Sequence, residues 1–423
     1  MPVLILHYHE IWLKGCNRKF FTAKLKEAIK STLEGLPAGK VRHEESRILV
    51  ELDTAGGPDE QATLLEAVRR LTKVPGIAYL AIAKEVPPEL DEIVEQASEL
   101  MLDVPFQTFA VRAKRSRKTF PFRSSDIHHQ LGRRIEEKMQ AAGRPVKVNL
   151  DNPEVTCHIE VLEQRALVYT EKIPGLGGLP TGTAGRLVCL LSGGFDSAIA
   201  AYKIMRRGVR LCFVHFYGNP AQPGEDSPPI ARKLVKVLTP YQGRALLYLI
   251  PFTELQQQVV ASAPQAVRIL LYRRLMLRIA ERIARRERAH GTVTGDSIAQ
   301  VASQTLQNMA AVGSVATMPV YRPLVADDKQ EILDTARRIG TYDISSEPFT
   351  DCCPIFLPKS PRIFSTIKEL DAAEASLDIP AMVKRALDLS RKEKYDYRAG
   401  EVTLRVSEDR QSKHEAAPAG VVT

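Results

Sequence analysis

Two hydrophobic periods alternate along the chain. Segments in which apolar residues alternate with polar ones or run without a break, such as RILVEL, GIAYLAIAKEV and FAVRAKRS, are typical of β-strands. Between them, apolar residues recur at intervals of three and four, which predicts helices over residues 18–34 and from Ser124 or Ser125 onward. In the second helix, Ile127, Leu131 and Ile135 form the inner stripe. The first part of the chain is therefore expected to mix α and β structure.

The pattern changes after IPGLGGLPTGTAGR at residues 173–186, a Pro- and Gly-rich segment that predicts a linker. Beyond it, the continuous apolar strands LVCLL and VRLCFVHF alternate with helices. Such strands, separated by helices, indicate a parallel sheet covered on both faces. The expected fold class is a multidomain α/β protein with a Rossmann-like last domain, and the polar end of the chain is predicted to be a flexible tail.

The length of the chain bears on the number of domains, and its net charge bears on the class of binding partner. The 423 residues exceed a single core, so two or three domains are expected. The net charge of +9 favours an anionic partner, with nucleic acid as the first hypothesis, although a basic protein without such a partner fits the composition equally well.

The six cysteines and the amino terminus bear on location. The cysteines suggest no disulfide framework, which fits a reducing, cytoplasmic location, and Cys189 and Cys212 are predicted to be buried thiols. The start, MPVLILHYHEIWLKG, predicts neither a signal peptide nor a membrane span.

The segment SGGFDS directly follows the strand LVCLL and predicts an anion site. Gly193 and Gly194 permit close backbone approach and positive φ, and their N–H groups with the next helix start form a cradle for phosphate. Ser192 and Ser197 add hydroxyl donors. Asp196 beside a phosphate calls for a bridging cation, so we assign it to Mg²⁺. The loop lacks the lysine of a Walker A motif, which indicates that the terminal phosphate is not the one attacked.

Other strand ends supply further candidates. His215 and Phe216 close VRLCFVHF and either flank an adenine or are a surface histidine and a core aromatic residue. TGDSIAQVASQTLQNM repeats the layout of strand followed by helix start, with Gly295 allowing backbone approach and Gln300 and Gln304 on one helical face.

Two pairs of neighbouring residues complete the candidates. Arg273 and Arg274 open the basic face of the long helix near the expected strand ends. Cys352 and Cys353 are adjacent, a poor arrangement for binding one metal ion, and they are either a reactive thiol pair or chemically inert.

Five segments together resemble the tRNA 4-thiouridine synthetases, the ThiI family of tRNA sulfurtransferases: LKGCNRKFF, FAVRAKRSRKTFPFRSSDI, LLSGGFDSAIAAY, TGDSIAQVASQTLQNM and DCCPIFLPKSP. SGGFDS itself resembles the PP-loop of ATP pyrophosphatases. The resemblance implies a ferredoxin-like domain at residues 1–60, a tRNA-binding THUMP domain at 61–172, the linker at 173–186, a PP-loop domain at 187–400 and a tail at 401–423.

The resemblance also implies the ligand contacts. ATP lies on residues 192–197, with Mg²⁺ on Asp196. The further nucleotide contacts implied are Leu190, Leu191, His215, Phe216, Arg273, Gly295 and Gln304. The residues expected to face RNA phosphates are Arg112, Lys114, Arg115, Arg117, Lys118 and Arg123, with Phe120 and Phe122 stacking on a base.

The reaction implied by the resemblance is ATP-dependent. O4 of uridine 8 in tRNA attacks the α-phosphate of ATP, pyrophosphate leaves, and sulfur from a persulfide replaces the adenylated oxygen. Cys352 or Cys353 is expected to receive the sulfur or to resolve the persulfide. No cysteine follows Cys353, so we expect the chain to lack the rhodanese domain of longer relatives and to depend on a cysteine desulfurase or another persulfide donor.

Several alternatives stay open. An iron–sulfur cluster is disfavoured because no C-x₂-C spacing is present. Sulfuration of a carrier protein for thiamine synthesis and a homodimer are both undecided. A PP-loop enzyme that adenylates another tRNA position or a small molecule, and a non-catalytic RNA-binding protein, are the competing functions.

Overall fold

Residues 2–53, 60–116, 119–218, 229–347 and 362–406 are described in the computed structural model. The chain divides after Leu179 into two units, here called unit one and unit two. The strands of unit one are β1 (Pro2–His7), β2 (Ala38–Glu44), β3 (Arg47–Leu52), β4 (Tyr79–Val86), β5 (Thr108–Arg115), β6 (Lys147–Val148), β7 (Val155–Val161), β8 (Ala166–Tyr169) and β9 (Ile173–Pro174). Its α-helices are α1 (Arg18–Thr32), α2 (Glu60–Leu71), α3 (Leu90–Leu102) and α4 (Ser124–Ala141), and a 3₁₀ segment covers Glu10–Asn17.

One mixed sheet runs through unit one in the order β2-β3-β1-β4-β8-β7-β5-β6, and β9 pairs with β4. Because β4 pairs with β1 on one side and with β8 on the other, the expected division near residue 60 stays a prediction. The helix stripe predicted for α4 is confirmed, since Ile127, Leu131 and Ile135 are fully buried and pack with Phe109 of β5 in one core.

A buried ionic cluster joins distant strands of this sheet. The carboxylate of Glu160 lies 3.1 Å from Nε of Arg47 and 2.9 Å from Nε2 of His7, and it accepts a 2.8 Å hydrogen bond from Oη of Tyr169. Burial acts to raise the pKa of Glu160, but the neighbouring His7 and Arg47 outweigh it and lower the pKa to about 2. The cluster therefore holds β1, β3, β7 and β8 together.

Unit two contains the predicted parallel sheet. Its strands are β10 (Arg186–Leu190), β11 (Arg210–Tyr217), β12 (Arg244–Pro251), β13 (Thr292–Val293), β14 (Val320–Tyr321), β15 (Arg391–Arg398) and β16 (Glu401–Val406). Its helices are α5 (Phe195–Met205), α6 (Pro229–Leu238), α7 (Thr253–Ser262), α8 (Arg268–Arg286), α9 (Leu306–Gly313), α10 (Lys329–Ile339), α11 (Tyr342–Ser346), α12 (Ile367–Glu374) and α13 (Ile379–Asp388), with 3₁₀ turns at Thr239–Tyr241, Gln265–Val267 and Ala302–Gln304.

The order of this sheet, β14-β13-β10-β11-β12-β15-β16, places a switch point beside β10. From β10 the chain continues to β11 and β12 on one side, and it later returns to β13 and β14 on the other, all in parallel. Ligands of such sheets bind in the crevice beyond the carboxyl ends of the strands at this point.

The described residues of unit two correct one expectation and confirm another. The tail expected from residue 401 begins too early, because β16 pairs antiparallel with β15, while residues 407–423 lie outside the described residues. Cys189 and Cys212 are buried as predicted, and burial raises the pKa of both thiols, that of Cys189 to about 12, which favours their protonated, unreactive form.

Candidate functional site

The loop after β10 is held by its own serine hydroxyls. The N–H of Ser192 donates to Oγ of Ser197 at 3.0 Å, the two Oγ atoms are 3.0 Å apart, and the N–H of Gly194 donates to Oγ of Ser192 at 3.2 Å. The serines therefore shape the loop. Gly194 has φ −78° and Gly193 is not among the glycines with positive φ, so these glycines leave the loop open to a ligand without a left-handed turn.

Gly295 permits the close backbone approach that the sequence predicts, and the segment that approaches it is the first turn of α5. A Cβ atom at this position would lie 2.7 Å from both the carbonyl carbon of Asp196 and the backbone nitrogen of Ser197. The end of β13 therefore packs directly on the first turn of α5, which only glycine permits. Gln300 and Gln304 do not share a helical face, because the helix of this segment begins only at Leu306.

Asp196 lies in the first turn of α5 and is held from two sides. Nζ of Lys329 is 2.8 Å from its Oδ1, and Nε2 of Gln300 donates to its Oδ2 at 2.9 Å. Lys329 is the first residue of α10 and is not among the site residues predicted from the sequence. Its ammonium group also lies 5.5 Å from the ring centroid of Phe195. A lysine thus reaches the loop from 133 residues away, in the absence of a Walker A lysine.

Both oxygens of Asp196 meet donors, so a cation at this carboxylate would have to be held mainly by phosphate. Among the described residues no group of three or more His, Cys, Asp or Glu side chains is placed to hold a metal ion. Mg²⁺ is commonly bound by one or two carboxylates together with substrate phosphates and water, and a single carboxylate meets that requirement.

Asp296 is a buried carboxylate that pairs with two arginines. Its Oδ1 lies 3.0 Å from Nη2 of Arg273, and its Oδ2 lies 3.4 Å from Nε of Arg322. Thr294 and Gln304 donate hydrogen bonds to it at 2.8 and 3.3 Å. Burial acts to raise the pKa of Asp296, but the Arg273 guanidinium and the other partners outweigh it, so the pKa is lowered and the group stays ionised.

These groups surround one cavity of about 230 Å³ at the carboxyl ends of β10, β11 and β13. Its lining residues are Leu190, Leu191, Ser192, Asp196, Ser197, Val214, Phe216, Arg273, Met276, Leu277, Thr294, Gly295, Asp296, Gln304, Val312 and Arg322. Apolar side chains form one part of the wall and charged or hydroxyl groups the rest, as in pockets that bind a planar ring and an anionic group together.

Most of the sequence-predicted nucleotide residues line this cavity, whereas Gly193, Gly194 and His215 are not among its lining residues. The His215 side chain is buried, and its Nδ1 is 2.7 Å from the carbonyl oxygen of Leu191, so it supports the loop backbone. Arg274 also separates from Arg273. It is 2% exposed and pairs with Asp371 at 2.6 Å and Glu374 at 3.4 Å, which makes it part of the helix packing.

The chain is similar to known proteins over most of its length. Family models match residues 3–81 (ThiI ferredoxin-like domain), 88–171 (THUMP domain) and 182–379 (Thiamine biosynthesis protein, ThiI). A probable tRNA sulfurtransferase of Moorella thermoacetica is 40% identical over 386 residues, covering 91% of this chain and 95% of its own. The chain belongs to the ThiI family of tRNA sulfurtransferases.

Two further relatives support the assignment. A probable tRNA sulfurtransferase of Thermus thermophilus is 39% identical over 385 residues, covering 91% of this chain and 92% of its own. A crystal structure of a 4-thiouridine synthetase–RNA complex with bound ATP is 33% identical with a TM-score of 0.80, covering 93% of this chain and 99% of that chain. This tRNA sulfurtransferase chain thus shares the fold of a solved family member over nearly its whole length.

The basic stretch of residues 112–123 lies in the part of the chain that matches the THUMP domain. Arg112, Lys114 and Arg123 are exposed, as expected for groups that contact phosphates. Arg115 is exposed as well, and it donates to the carbonyl oxygens of Phe120 and Phe122, while Arg112 donates to the carbonyl oxygen of Leu150.

The aromatic residues of this stretch separate as well. Phe120 is only 4% exposed and belongs to the core, which leaves Phe122, 37% exposed, as the ring available to a base. The remaining candidates, Arg117, Lys118, Cys352 and Cys353, lie outside the described residues. None of the helices in the described ranges is both long and apolar enough to span a membrane.

Proposed function

We propose that this enzyme uses ATP to adenylate uridine 8 of tRNA and replaces O4 with sulfur, giving 4-thiouridine. The observation that carries the proposal is the loop of residues 192–197 at the switch point, with Asp196 and Lys329 on one side and the paired arginines of Asp296 on the other. It is supported by the likeness to a 4-thiouridine synthetase with bound RNA and ATP.

The residues can be given roles in binding. The adenine ring lies against the apolar wall near Phe216, and the phosphates lie on the backbone N–H groups at the start of α5, where the helix dipole favours negative charge. Arg273, Gly295 and Gln304 border the nucleotide, and Lys329 neutralises phosphate charge next to Asp196. Mg²⁺, held by Asp196 and phosphate oxygens, would supply further charge neutralisation to the leaving pyrophosphate.

The chemistry proceeds in two displacements. O4 of the uridine bonds to the α-phosphorus, and the bond between that phosphorus and the pyrophosphate oxygen breaks. The terminal sulfur of a persulfide then bonds to C4, and AMP leaves with the former O4. A second thiol cleaves the resulting S–S bond and leaves sulfur on the base. We assign Cys352 and Cys353 to this sulfur transfer, and a cysteine desulfurase or another persulfide donor to its supply.

Further parts of the proposal concern organisation. We assign residues 1–60, 61–172 and 187–400 to the ferredoxin-like, THUMP and PP-loop domains, with residues 173–186 as the linker. A cytoplasmic location, a homodimer and sulfuration of a thiamine carrier protein remain predictions that the experiments below do not require.

The test is the tRNA-dependent formation of AMP and pyrophosphate. Asp196→Asn keeps the side-chain shape and should lower the rate by roughly 10²–10³-fold, the range for losing one preorganised electrostatic contact at the reacting group. Retained tRNA binding separates this loss from unfolding. The matched control is Asp334→Asn on the exposed face of α10, which should be as active as the wild type.

Two outcomes contradict the proposal. Formation of ADP and orthophosphate in place of AMP would mean that the terminal phosphate is transferred. Full 4-thiouridine content at position 8 in tRNA from cells that lack the protein, measured by mass spectrometry of nucleosides, would assign the activity to another tRNA position or to a small-molecule substrate.

A further inference from the structure

A second charged cavity lies at the edge of the unit-two sheet opposite the nucleotide site. Four arginines and a histidine line it, and we call it the arginine bowl: Arg186, Arg210, Arg286, Arg288 and His290, together with Gly182, Gly185 and Glu287, around about 490 Å³. Arg186 and Arg210 are the first residues of β10 and β11, so the bowl is at the amino ends of the strands. Because those strands are parallel, it is separate from the cavity at their carboxyl ends.

The bowl has an excess of positive charge. Glu287 is the one acidic residue among its described lining residues, so four arginines and one carboxylate leave three positive charges. The carboxylate of Glu287 is already engaged, since its Oε1 accepts hydrogen bonds from Oη of Tyr248 and Nζ of Lys392, both at 2.6 Å. Arg286 and Arg288 are exposed. Nη1 of Arg186 lies 3.6 Å from Oε2 of Glu287, and the bowl presents the exposed guanidinium groups of Arg286 and Arg288 to solvent.

The backbone at Arg288 is the second observation. The turn that ends α8 has the N–H of Ala289 donating to the carbonyl of Ala284 at 2.8 Å, and Arg288 within it has φ 54°. This left-handed position after a helix usually holds glycine, because a Cβ is disfavoured there. Helix α10 ends in that ordinary way, with Gly340 at φ 77°. At Arg288 the chain accepts the disfavoured conformation and gains a guanidinium on the wall of the bowl.

Helix ends explain only part of the cluster. Cations stabilise the carboxyl end of a helix, and Arg186 does so directly, since its Nη1 donates to the carbonyl oxygen of Glu287 at 2.8 Å. Arg288 lies beyond the helix in a conformation that weakens the turn, which helix stabilisation does not account for. A ligand of opposite charge does account for it.

We propose that the arginine bowl binds backbone phosphates of the RNA substrate, away from the base that reacts. The four permanently positive side chains on its wall are all arginines. The planar guanidinium group of an arginine pairs with phosphate oxygens through two hydrogen bonds. The inference rests on the proposed function for the identity of the RNA, and it adds an RNA contact on unit two to those expected on the THUMP domain.

The test uses the full-length chain with Arg286→Ala and Arg288→Gly together. The glycine substitution removes a charge and also relieves the left-handed backbone, so the variant should not be less stable because of that turn. Loss of two phosphate contacts should lower the log–log salt slope of tRNA binding by roughly 0.7–0.9 for each contact. Between 50 and 200 mM salt, the variant's affinity for tRNA would therefore fall by a factor that is about ten times smaller than the factor for the wild type. The KM for tRNA should rise while kcat for AMP formation is unchanged.

Two controls give the result its meaning. Arg282→Ala with Arg338→Ala removes the same charge from exposed positions of unit two outside the bowl and should leave the slope unchanged. Arg288→Lys in the chain with wild-type Arg286 keeps the charge and should retain most of the affinity.

Failure of the arginine-bowl proposal and failure of the proposed function give different results. An unchanged slope and KM in the double variant, with an active wild type, overturn the bowl as an RNA site. The same is true if the variant changes only the sedimentation of the protein, which would assign the bowl to contacts between copies. A wild type that forms no AMP with tRNA overturns the proposed function instead, while the salt slope still decides whether the bowl binds RNA.

Discussion

Replacing Asp296 with asparagine tests the electrostatic arrangement of the nucleotide cavity. Asparagine keeps the size of the side chain but removes its charge, and it replaces one of the two acceptor oxygens with an NH₂ group that cannot accept from the donors around it. Arg273 and Arg322 then lie beside a neutral group in the cavity wall. We expect the free enzyme to be destabilised, and we expect the guanidinium groups to lose the orientation in which they meet the nucleotide.

The magnitude follows from the distances. At 3.0 and 3.4 Å, each ion pair gains about 5 kcal/mol of attraction at an effective dielectric constant of about 20, before the cost of removing the charges from water. The side chains of Arg273 and Arg322 are 27% and 22% exposed, so solvent screens part of this energy. We expect a net loss of about 2–3 kcal/mol, somewhat below the 3–5 kcal/mol typical of a fully buried pair that loses one partner.

The assays are thermal unfolding and steady-state kinetics. A loss of about 2–3 kcal/mol should lower the Tm of a unit of this size by about 5–10 °C. The kcat/KM for AMP formation should fall at least tenfold, because the arginines remain but no longer hold the orientation in which they meet the nucleotide. The exposed control Asp334→Asn should change stability by less than about 0.5 kcal/mol.

The pH dependence gives an independent check. The pKa of Asp296 is lower in the folded protein than its ordinary value, so its contribution to stability is fully present above that value and is lost as the pH falls. The difference in unfolding free energy between wild type and Asp296→Asn should therefore be constant near neutral pH and shrink below about pH 3.9. A difference under about 0.5 kcal/mol at pH 7, or one that grows on acidification, would refute the reasoning.

Two other substitutions follow from the packing. Gly295→Ala should cost about 1–3 kcal/mol and weaken ATP binding, because its Cβ would lie 2.7 Å from the backbone of the loop, whereas Gly132→Ala within α4 meets no atom within 4 Å and should stabilise by about 0.5–1 kcal/mol; chemical denaturation compares the two, and equal effects would contradict the proposed contact. Glu160→Gln should destabilise unit one by about 3 kcal/mol by leaving the buried Arg47 guanidinium beside it uncompensated, and a denaturation midpoint equal to that of the wild type would show that the cluster contributes nothing.

Local patterns were sufficient for much of the fold and for the centre of the site. The α4 stripe, the apolar strands and the SGGFDS loop each depend on residues that are close in sequence, so period and turn chemistry reveal them directly. The same holds for the burial of Cys189 and Cys212 within apolar strands. Short polar motifs predict local structure less well. The spacing of Gln300 and Gln304 predicts one helical face, but the α-helix of this segment begins only at Leu306.

Contacts between distant segments could be decided only by the tertiary structure. Lys329 meets Asp196, and Arg322 joins Arg273 on Asp296, because the sheet brings the ends of separate strands to one edge, and no local spacing encodes that proximity. The fate of single side chains was equally hidden. Phe120 is buried while Phe122 is exposed, because burial depends on which neighbours cover a side chain once the chain has folded. Local sequence therefore specifies the elements and the phosphate loop, whereas the charges that complete the site are assembled by the fold.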